Sequence, residues 1–286
     1  MIHRVLEEKI REYPIPSALD QENVLQEIVQ HVILASLSRA GLFSRARAVF
    51  HGGTCLRIMH GMNRFSEDLD FLLKTPNPGF TWREYLEHVV RDGLGEGLSF
   101  TAQDKAEDGM AVKKALLRTD AFGKDMANVL PYARDPRKLI KVRLEIDVNP
   151  PSGSSFETRY IAFPVTTAIT TQGLGSSFAM KMAAMLGRTY VKGRDWYDFI
   201  WYVNKKIVPD LGLLERSLAQ QGPLAGLKIK IDHAWVEGSL REKITGVDWR
   251  VARQDVERFL PLREQETLKL WGREFFLHHL GNMLWP

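Results

Sequence analysis

The sequence predicts an α+β fold, in which a mixed sheet with helices is followed by a mostly helical C-terminal region. Residues 139–148 alternate between apolar and charged side chains, as a strand does when one of its faces is buried. Apolar side chains recur at helical spacing in residues 20–40, and Gly41 follows as a helix stop. Beyond residue 165 helical spacing dominates. Together these three patterns place a sheet in the first part of the chain and helices in the second.

This change from mixed strand and helix patterns to helical spacing near residue 165 predicts two domains. The 286 residues suffice for one large domain or two modest ones, and 44% hydrophobic and 26% charged residues are ordinary for a globular protein. We expect an α/β domain with N-terminal helices over residues 1–165 and a helical domain over residues 166–286. The glycines and serines at residues 173–177 offer an alternative boundary.

The individual elements follow from spacing and turn residues. In the first part we expect helices over residues 20–40, 54–60 and 81–90 and strands over residues 47–50, 69–73 and 139–148. We expect Asp20 to cap the first of these helices. Residues 92–136 mix glycine, charge and short apolar runs, which predicts strands joined by loops. In the second part we expect helices over residues 178–188, 196–203, 211–219, 251–259 and 264–279.

Composition excludes several classes of protein. The N-terminus is charged and lacks the apolar core of a signal peptide, and no run approaches the ~18 apolar residues of a membrane helix. The single cysteine, Cys55, excludes an intrachain disulfide framework and a cysteine-rich zinc site. A formal net charge of +4 is compatible with polyanionic partners without requiring nucleic acid. We therefore expect a cytoplasmic protein that has no membrane partner.

One stretch carries residues suited to phosphate and metal chemistry. Gly52, Gly53 and Thr54 form a turn between a predicted strand and a predicted helix. Glycines let backbone N–H groups approach a ligand, and a helix N-terminus favours phosphate. Asp68 and Asp70 are separated by one residue, so in a strand they project from the same face. Mg²⁺ typically takes one or two such carboxylates together with substrate phosphates. The stretch therefore predicts a metal site that binds a phosphorylated substrate.

The strand over residues 139–148 offers a third carboxylate. Glu145 and Asp147 share its charged face with a lysine and an arginine, and the opposite face is apolar. Such a face usually only contacts solvent. Beside Asp68 and Asp70 it would complete a metal site. Alternation alone does not distinguish Glu145 from Asp147.

These motifs resemble the AbiEii/AbiGii-type toxin family of nucleotidyltransferases, within the polymerase-β-like superfamily. The family's first motif is a Gly-Gly-Ser/Thr turn followed by Ser-x-Asp-x-Asp, which here is Gly52-Gly53-Thr54 and Ser66-Glu67-Asp68-Leu69-Asp70. A later motif is a helix with a lysine and, seven residues on, an arginine, followed by Lys/Arg-Asp-x-Tyr-Asp; here it is Lys181, Arg188 and Arg194-Asp195-Trp196-Tyr197-Asp198. The resemblance spans about residues 45–205 and implies a polymerase-β-like nucleotidyltransferase core.

The resemblance implies that a nucleoside monophosphate is transferred from an NTP at two Mg²⁺ ions, with release of pyrophosphate. The expected metal ligands are Asp68, Asp70 and Asp147, with Glu145 as the alternative third carboxylate. The expected nucleotide-binding residues are Gly52, Gly53, Thr54, Ser66, Lys181, Arg188, Arg194 and Asp195. The expected catalytic residues are Asp68, Asp70, Asp147, Glu145, Lys181 and Asp198.

The later motif also has a physical interpretation. Lys181 and Arg188 are seven residues apart, so they share a helical face. Because the rest of this helix is largely apolar, its lysine is more plausibly aimed at phosphate than at solvent. Asp195 is expected to cap the helix that Trp196 begins, and Asp198 is expected to orient Lys181.

Three functions are compatible with these residues. The resemblance favours a toxin of a toxin–antitoxin or phage-defence system that adds nucleotides to the 3′ end of tRNA and has a cognate antitoxin as partner. The alternatives are nucleotidylation of a protein hydroxyl, which would use the same site, and a non-catalytic nucleotide- or RNA-binding module. The chain lacks Gly-x₄-Gly-Lys-Ser/Thr, which excludes a P-loop kinase.

Overall fold

The computed structural model describes residues 2–95, 98–107, 109–120, 122, 129–135, 137–220, 225–226 and 230–286. Within these residues the chain forms seven strands and eleven α-helices. The helices are α1 (Ile2–Arg11), α2 (Ala18–Arg39), α3 (Gly52–His60), α4 (Arg83–Gly95), α5 (Leu174–Gly187), α6 (Gly193–Asn204), α7 (Leu211–Gln220), α8 (His233–Gly246), α9 (Trp249–Glu257), α10 (Leu262–Gln265) and α11 (Arg273–Gly281). The strands are β1 (Ala48–His51), β2 (Leu69–Leu73), β3 (Phe100–Asp104), β4 (Val112–Thr119), β5 (Ile140–Asp147), β6 (Phe156–Ile161) and β7 (Thr167–Gln172).

The described chain divides into two compact units. The first comprises residues 1–150 and 158–171, and the second comprises residues 151–157 and 172–286. The predicted fold class is confirmed, because a mixed sheet precedes a run of helices. None of the described helices is both long enough and apolar enough to cross a bilayer.

The seven described strands form a single sheet in the order β3-β4-β5-β2-β1-β7-β6. At its centre β2 runs antiparallel to β1 and parallel to β5, and β5 runs antiparallel to β4. The two strands that carry the predicted carboxylates are therefore direct neighbours. The predicted alternation of β5 is confirmed, because its apolar side chains are buried and its charged side chains are exposed or half-buried.

The helix α2 forms much of the core of the first unit. Its apolar side chains, among them Val24, Ile28 and Ile33, are fully buried in one cluster with the sheet. The predicted cap at Asp20 is wrong. The helix begins one turn earlier, and the Ser17 hydroxyl accepts a hydrogen bond from the backbone N–H of Asp20 at 3.1 Å. Serine is a favoured N-cap residue because its side chain satisfies an amide that the helix leaves unpaired.

Several elements differ from the sequence prediction. The helix expected over residues 264–279 is broken into α10, a 3₁₀ helix (Glu266–Leu270) and α11. Gly272 caps α11 in an extended conformation, as glycine's low helix propensity allows. The strands expected within residues 92–136 are β3 and β4, although residues 96–97, 108, 121, 123–128 and 136 lie outside the described part of the chain. The elements α1, α8, β6 and β7 were not predicted.

The second unit has an aromatic core. The rings of Phe178 and Tyr202 are stacked with centroids 4.5 Å apart, and those of Trp249 and Phe276 are stacked with centroids 4.1 Å apart. Trp196 packs edge-on against Phe276 at 5.4 Å. These contacts join α5, α6, α9 and α11, so the unit is built on side-chain packing between helices.

Candidate active site

The glycine turn after β1 is shaped around one of the predicted carboxylates. Gly52 begins α3 with φ +76°, a left-handed conformation that strains other residues. A Cβ at this position would lie 2.6 Å from Oδ2 of Asp70. The missing side chain therefore allows the Asp70 carboxylate to lie directly against the N-terminal turn of α3.

Gly53 creates a second close approach. A Cβ here would lie 3.0 Å from the Ser66 hydroxyl and would collide with the Arg64 guanidinium. Arg64 is only 2% exposed, and its Nη1 donates to the carbonyl of Phe65 at 3.0 Å. A buried guanidinium and a hydroxyl therefore face the backbone of the turn, where an anion would also be attracted.

Thr54 links the turn to the Asp68–Asp70 segment. Its side chain is fully buried, and its hydroxyl donates to the backbone carbonyl of Asp68. This hydrogen bond fixes the chain at the start of β2. The predicted contact between Thr54 and a triphosphate stays a prediction, with the backbone N–H at the start of α3 as the suitable donor.

The first two carboxylates lie at the start of β2. Asp70 is opposite His51 on β1 and Glu145 on β5, and residues in register project to the same face of a sheet. Asp68 precedes the strand by one residue. Arg143 holds it through two hydrogen bonds, from Nε to Oδ1 at 2.8 Å and from Nη2 to Oδ2 at 3.1 Å. This hydrogen bond to Asp68 raises the pKa of the Arg143 guanidinium.

The two candidates for the third carboxylate have different surroundings. Glu145 lies 3.5 Å from the Lys114 ammonium, so a cation already offsets its charge. Asp147 lies two residues farther along β5, opposite Leu72, and accepts a hydrogen bond from the Asn149 backbone N–H at 2.9 Å. Burial raises the pKa of the Asp147 carboxyl. Within the described residues no lysine or arginine forms an ion pair with Asp147.

Helix α2 clamps the loop that leads into the carboxylates. Nε2 of Gln30 donates to the carbonyl of Ser66 at 2.9 Å. Nε2 of Gln26 donates to the carbonyls of Glu67 at 3.1 Å and Lys141 at 2.8 Å. These two glutamines are one helical turn apart, so one face of α2 holds both the loop and the start of β5.

An ion pair extends this clamp to the N-terminal part of the chain. Nε of Arg57 lies 2.6 Å from Oε2 of Glu27, and its Nη1 donates to the carbonyl of Asn63 at 2.6 Å. The Tyr13 hydroxyl donates to Oε1 of Glu27 at 2.9 Å. Burial, together with the Glu27 carboxylate, raises the pKa of Tyr13, so this hydroxyl remains a donor. Arg57 also lies over the Phe65 ring at 4.2 Å.

The donor set fits Mg²⁺ that is shared with a substrate. Within the described residues no three histidine, cysteine, aspartate or glutamate side chains form a group that could hold a metal by themselves. Two carboxylates at the start of β2, Asp68 just before the strand and Asp70 within it, are nevertheless available, and Mg²⁺ is commonly bound by one or two carboxylates with substrate phosphates as further ligands. The space that Gly52 leaves beside Asp70 is consistent with such a site.

The second unit gathers the later motif into a buried ionic cluster. Nζ of Lys181 lies 2.8 Å from Oδ1 of Asp195 and 2.8 Å from Oδ2 of Asp198. Arg188 forms a further ion pair with Asp195. The side chains of Asp195 and Asp198 are 4% and 0% exposed. Asp198 therefore contacts Lys181, and its predicted role in orienting this lysine stays a prediction.

The remaining residues of the later motif have structural contacts. The predicted cap at Asp195 is wrong, because α6 begins at Gly193 with Lys192 as its N-cap. Asp195 lies in the first turn of this helix, and its carboxylate contacts Lys181 and Arg188. The Arg194 guanidinium lies over the Phe259 ring at 4.5 Å, and its backbone N–H donates to Asp255 at 3.2 Å. Its predicted nucleotide contact stays a prediction.

Sequence reasoning missed several residues of the candidate site. Arg64 stands within the motif and is buried, and Arg143 stands on the charged face of β5 beside the predicted carboxylates. The role of Gln26 and Gln30 could have been predicted from the sequence, because two amides one turn apart on an apolar helix require hydrogen-bond partners. The pairing of Glu27 with Arg57 could not have been predicted, since no sequence pattern links residues thirty positions apart.

Residues 32–275 match the family described as nucleotidyl transferase AbiEii toxin, type IV toxin–antitoxin system. No curated protein matches the chain. The fold is similar to that of MenT4, a nucleotidyltransferase toxin from Mycobacterium tuberculosis H37Rv, with a TM-score of 0.51, 18% identity and 98% of each chain covered. JHP933 from Helicobacter pylori is 18% identical over 88% of this chain and 89% of its own, with a TM-score of 0.49. The likeness to MenT4 supports the predicted fold.

Proposed function

Because the chain belongs to the AbiEii family of nucleotidyl transferase toxins of type IV toxin–antitoxin systems, we propose that it uses Mg²⁺ to transfer a nucleoside monophosphate from an NTP to RNA. We take the 3′ end of tRNA as the acceptor. The observation that carries the proposal is the Asp70 carboxylate against the left-handed Gly52 turn, with Asp68 two residues away. This places acidic ligands beside the helix N-terminus that would receive the phosphates.

The reaction needs alignment and charge stabilisation more than covalent chemistry by the protein. The acceptor hydroxyl oxygen bonds to the α-phosphorus, the bond from that phosphorus to the oxygen bridging to the β-phosphate breaks, and pyrophosphate leaves. Gly52, Gly53 and Ser66 bind the triphosphate. Asp68 and Asp70 would hold Mg²⁺, which would neutralise the negative charge of the phosphates.

We assign the third carboxylate to Asp147. Glu145 is already matched by Lys114, whereas Asp147 is half-buried, lies on the same face and forms no ion pair among the described residues. Its carboxylate is suited to accept the proton that the acceptor hydroxyl loses. The variant Asp147→Asn should therefore abolish transfer, and Glu145→Gln should reduce it less. A larger loss of transfer in Glu145→Gln than in Asp147→Asn would assign this role to Glu145.

In the second unit we propose that Lys181 and Arg188 bind the phosphates of the nucleotide, while Asp195 and Asp198 hold these cations in place. Arg194 is retained as a nucleotide-binding residue from the family motif. If the proposal is right, Lys181→Arg should raise KM for the NTP more than it lowers kcat, because the charge is kept and its position is changed.

The test is a transfer assay with the full chain. The purified protein is incubated with Mg²⁺, each α-labelled NTP in turn, and either total tRNA or a protein extract. Label in tRNA supports the proposal, and label in protein assigns the acceptor to a protein hydroxyl. The variant Asp68→Ala should transfer no label, whereas Glu67→Gln, which alters the adjacent carboxylate, should remain active. Chelation of Mg²⁺ should stop transfer.

Absence of transfer from any NTP, with wild type and Asp68→Ala indistinguishable, would leave only the non-catalytic binding module. Family membership also implies a cognate antitoxin. Expression of the wild type should arrest growth, and co-expression with the neighbouring open reading frame should relieve that arrest. The cytoplasm remains its expected location.

A further inference from the structure

A cavity of about 490 Å³ lies within the second unit. It is open to solvent on one side and is lined by the end of α5, the connection over residues 188–192, the first turn of α6 and one side of α8. Its size falls in the range of small-molecule sites, which are typically apolar with a few convergent polar groups. Of the ionic cluster described above, only Arg188 and Asp195 line this cavity.

Three aromatic side chains contribute to the walls of this cavity. Tyr190 is 63% exposed, Trp235 is half-buried, and Trp196 is almost fully buried. The guanidinium of Arg188 lies 5.8 Å from the centre of the Tyr190 ring. Large exposed aromatic surface beside a cation is the arrangement on which a nucleobase stacks, because every base presents a flat π-face.

The rest of the lining includes polar and charged side chains, which would orient a bound ligand. Lys192 and Lys243 line the cavity, and Nζ of Lys243 donates to the Arg188 carbonyl at 2.8 Å. Glu242 and Ser239 lie on the α8 side. Cationic side chains suit a phosphate, and a carboxylate accepts hydrogen bonds from the exocyclic amino group of a base such as cytosine.

We propose that this cavity binds one unpaired nucleotide, with its base against Tyr190 and Trp235, its phosphate towards Lys192 and Lys243, and its amino edge towards Glu242. The nucleotide belongs either to single-stranded RNA or to a free NTP, and the test separates these sources. The proposal rests on the proposed function only for the identity of the RNA as the acceptor.

The test measures binding rather than transfer, with the full chain carrying Asp68→Ala so that no product forms. A 5′-fluorescein-labelled oligocytidine is titrated by anisotropy, with and without unlabelled CTP as competitor. The variants Tyr190→Ala and Trp235→Ala should each weaken binding about 5- to 150-fold, the range that loss of one base–aromatic stack produces. Glu242→Gln should reduce the preference for oligocytidine over oligouridine.

The matched control is Tyr160→Ala. Tyr160 is 69% exposed, on β6, and does not line the cavity, so its removal should leave binding unchanged. Because Tyr190 is similarly exposed, its substitution should fold normally even if Trp235→Ala does not. If Tyr190→Ala and Trp235→Ala weaken binding of oligocytidine but not of CTP, the cavity binds RNA. If they also weaken the competition by CTP, the cavity binds the free nucleotide.

Equal affinity of Tyr190→Ala, Trp235→Ala and Tyr160→Ala for both probes would overturn the proposal, as would the absence of binding by the parent protein. The two proposals fail separately. If the chain without Asp68→Ala transfers no nucleotide but Tyr190→Ala still weakens RNA binding, the transferase proposal fails and the cavity proposal stands.

Discussion

Each unit contains a basic side chain that is ion-paired with aspartate, and the two arrangements differ in burial. In the first unit Arg143 holds Asp68, with side chains 59% and 26% exposed. In the second unit Lys181 holds Asp195 and Asp198, with the lysine 15% exposed and the aspartates 4% and 0%. Exposed pairs contribute little to stability, whereas breaking a buried pair is costly because a charge is left in a poor environment.

The difference separates two ways of positioning charged groups. In the first unit the Gly52 turn and the amide side chains of α2 that bind loop carbonyls position the backbone that carries the carboxylates, and Arg143 adds a partly exposed contact to Asp68. Their charges stay accessible to a ligand. In the second unit the charges position one another and are largely withdrawn from water. Substitutions should therefore affect mainly activity in the first unit and stability as well in the second.

The largest expected effect on stability is from Lys181→Met. It removes the ammonium from two buried carboxylates, and the loss of one partner of a buried pair costs about 3–5 kcal/mol of unfolding free energy. Guanidinium denaturation followed by tryptophan fluorescence would measure the shift in midpoint. The double variant Lys181→Met/Asp198→Asn should recover part of this loss, since one buried charge is also removed. A loss below about 1 kcal/mol would show that the cluster is no more coupled than a surface pair.

The second prediction compares two glycines that share a left-handed backbone. Gly52 has φ +76° and Gly61 has φ +70°, so alanine at either should cost about 1–2 kcal/mol in strain. Only at Gly52 would the new Cβ meet the Asp70 carboxylate, because nothing lies within 4 Å of a Cβ at Gly61. We expect Gly52→Ala to lower transfer about 100-fold more than Gly61→Ala at similar melting temperatures, since small displacements of reacting groups are costly. Equal transfer rates in the two variants would show that Asp70 takes no part in the reaction.

These two contrasts also show what the sequence made predictable. The strand–turn–helix order around Gly52 and the alternation of β5 are local patterns, and both are present in the structure. The separation of one residue between Asp68 and Asp70 was enough to expect adjacent acidic groups. The contact of Lys181 with Asp198, which lie on successive helices, was expected from the later motif.

What the sequence left open depends on long-range pairing. The register that sets Glu145 opposite Asp70 and Asp147 opposite Leu72 is a property of the folded sheet. The engagement of Asp68 by Arg143 joins residues seventy-five positions apart, and no periodicity predicts it. The cavity beside Tyr190 needs α8, an element that spacing did not reveal.

A third, smaller effect is expected from the clamp on the loop before Asp68. In Glu27→Gln the charge that holds Arg57 is lost, so the carbonyls of Met62 and Asn63 are held less firmly. We expect kcat to fall about tenfold with little change in KM, because orientation rather than binding is affected.

The control for this variant lies on the same helix. Glu22 is also ion-paired, to Arg134 at 2.9 Å and Lys138 at 3.0 Å, and has no contact with the loop in the described residues. Glu22→Gln should therefore preserve kcat. A similar fall in kcat for both variants would assign the effect to α2 stability instead of loop position.

The smallest effect on stability is expected from Arg143→Met. Because both partners are partly exposed, the loss should be at most about 1 kcal/mol of unfolding free energy and should shrink further at high salt. The same substitution should make the enzyme less dependent on a high Mg²⁺ concentration. With the guanidinium gone, no cation competes with Mg²⁺ for the Asp68 carboxylate, so the Mg²⁺ concentration for half-maximal transfer should fall, even if the maximal rate changes. A titration of Mg²⁺ against transfer rate, repeated for Lys114→Met beside Glu145, measures this. A higher Mg²⁺ requirement in Arg143→Met would mean that Arg143 positions Asp68 for the metal, and the first unit would then resemble the second in using a charged group to place another.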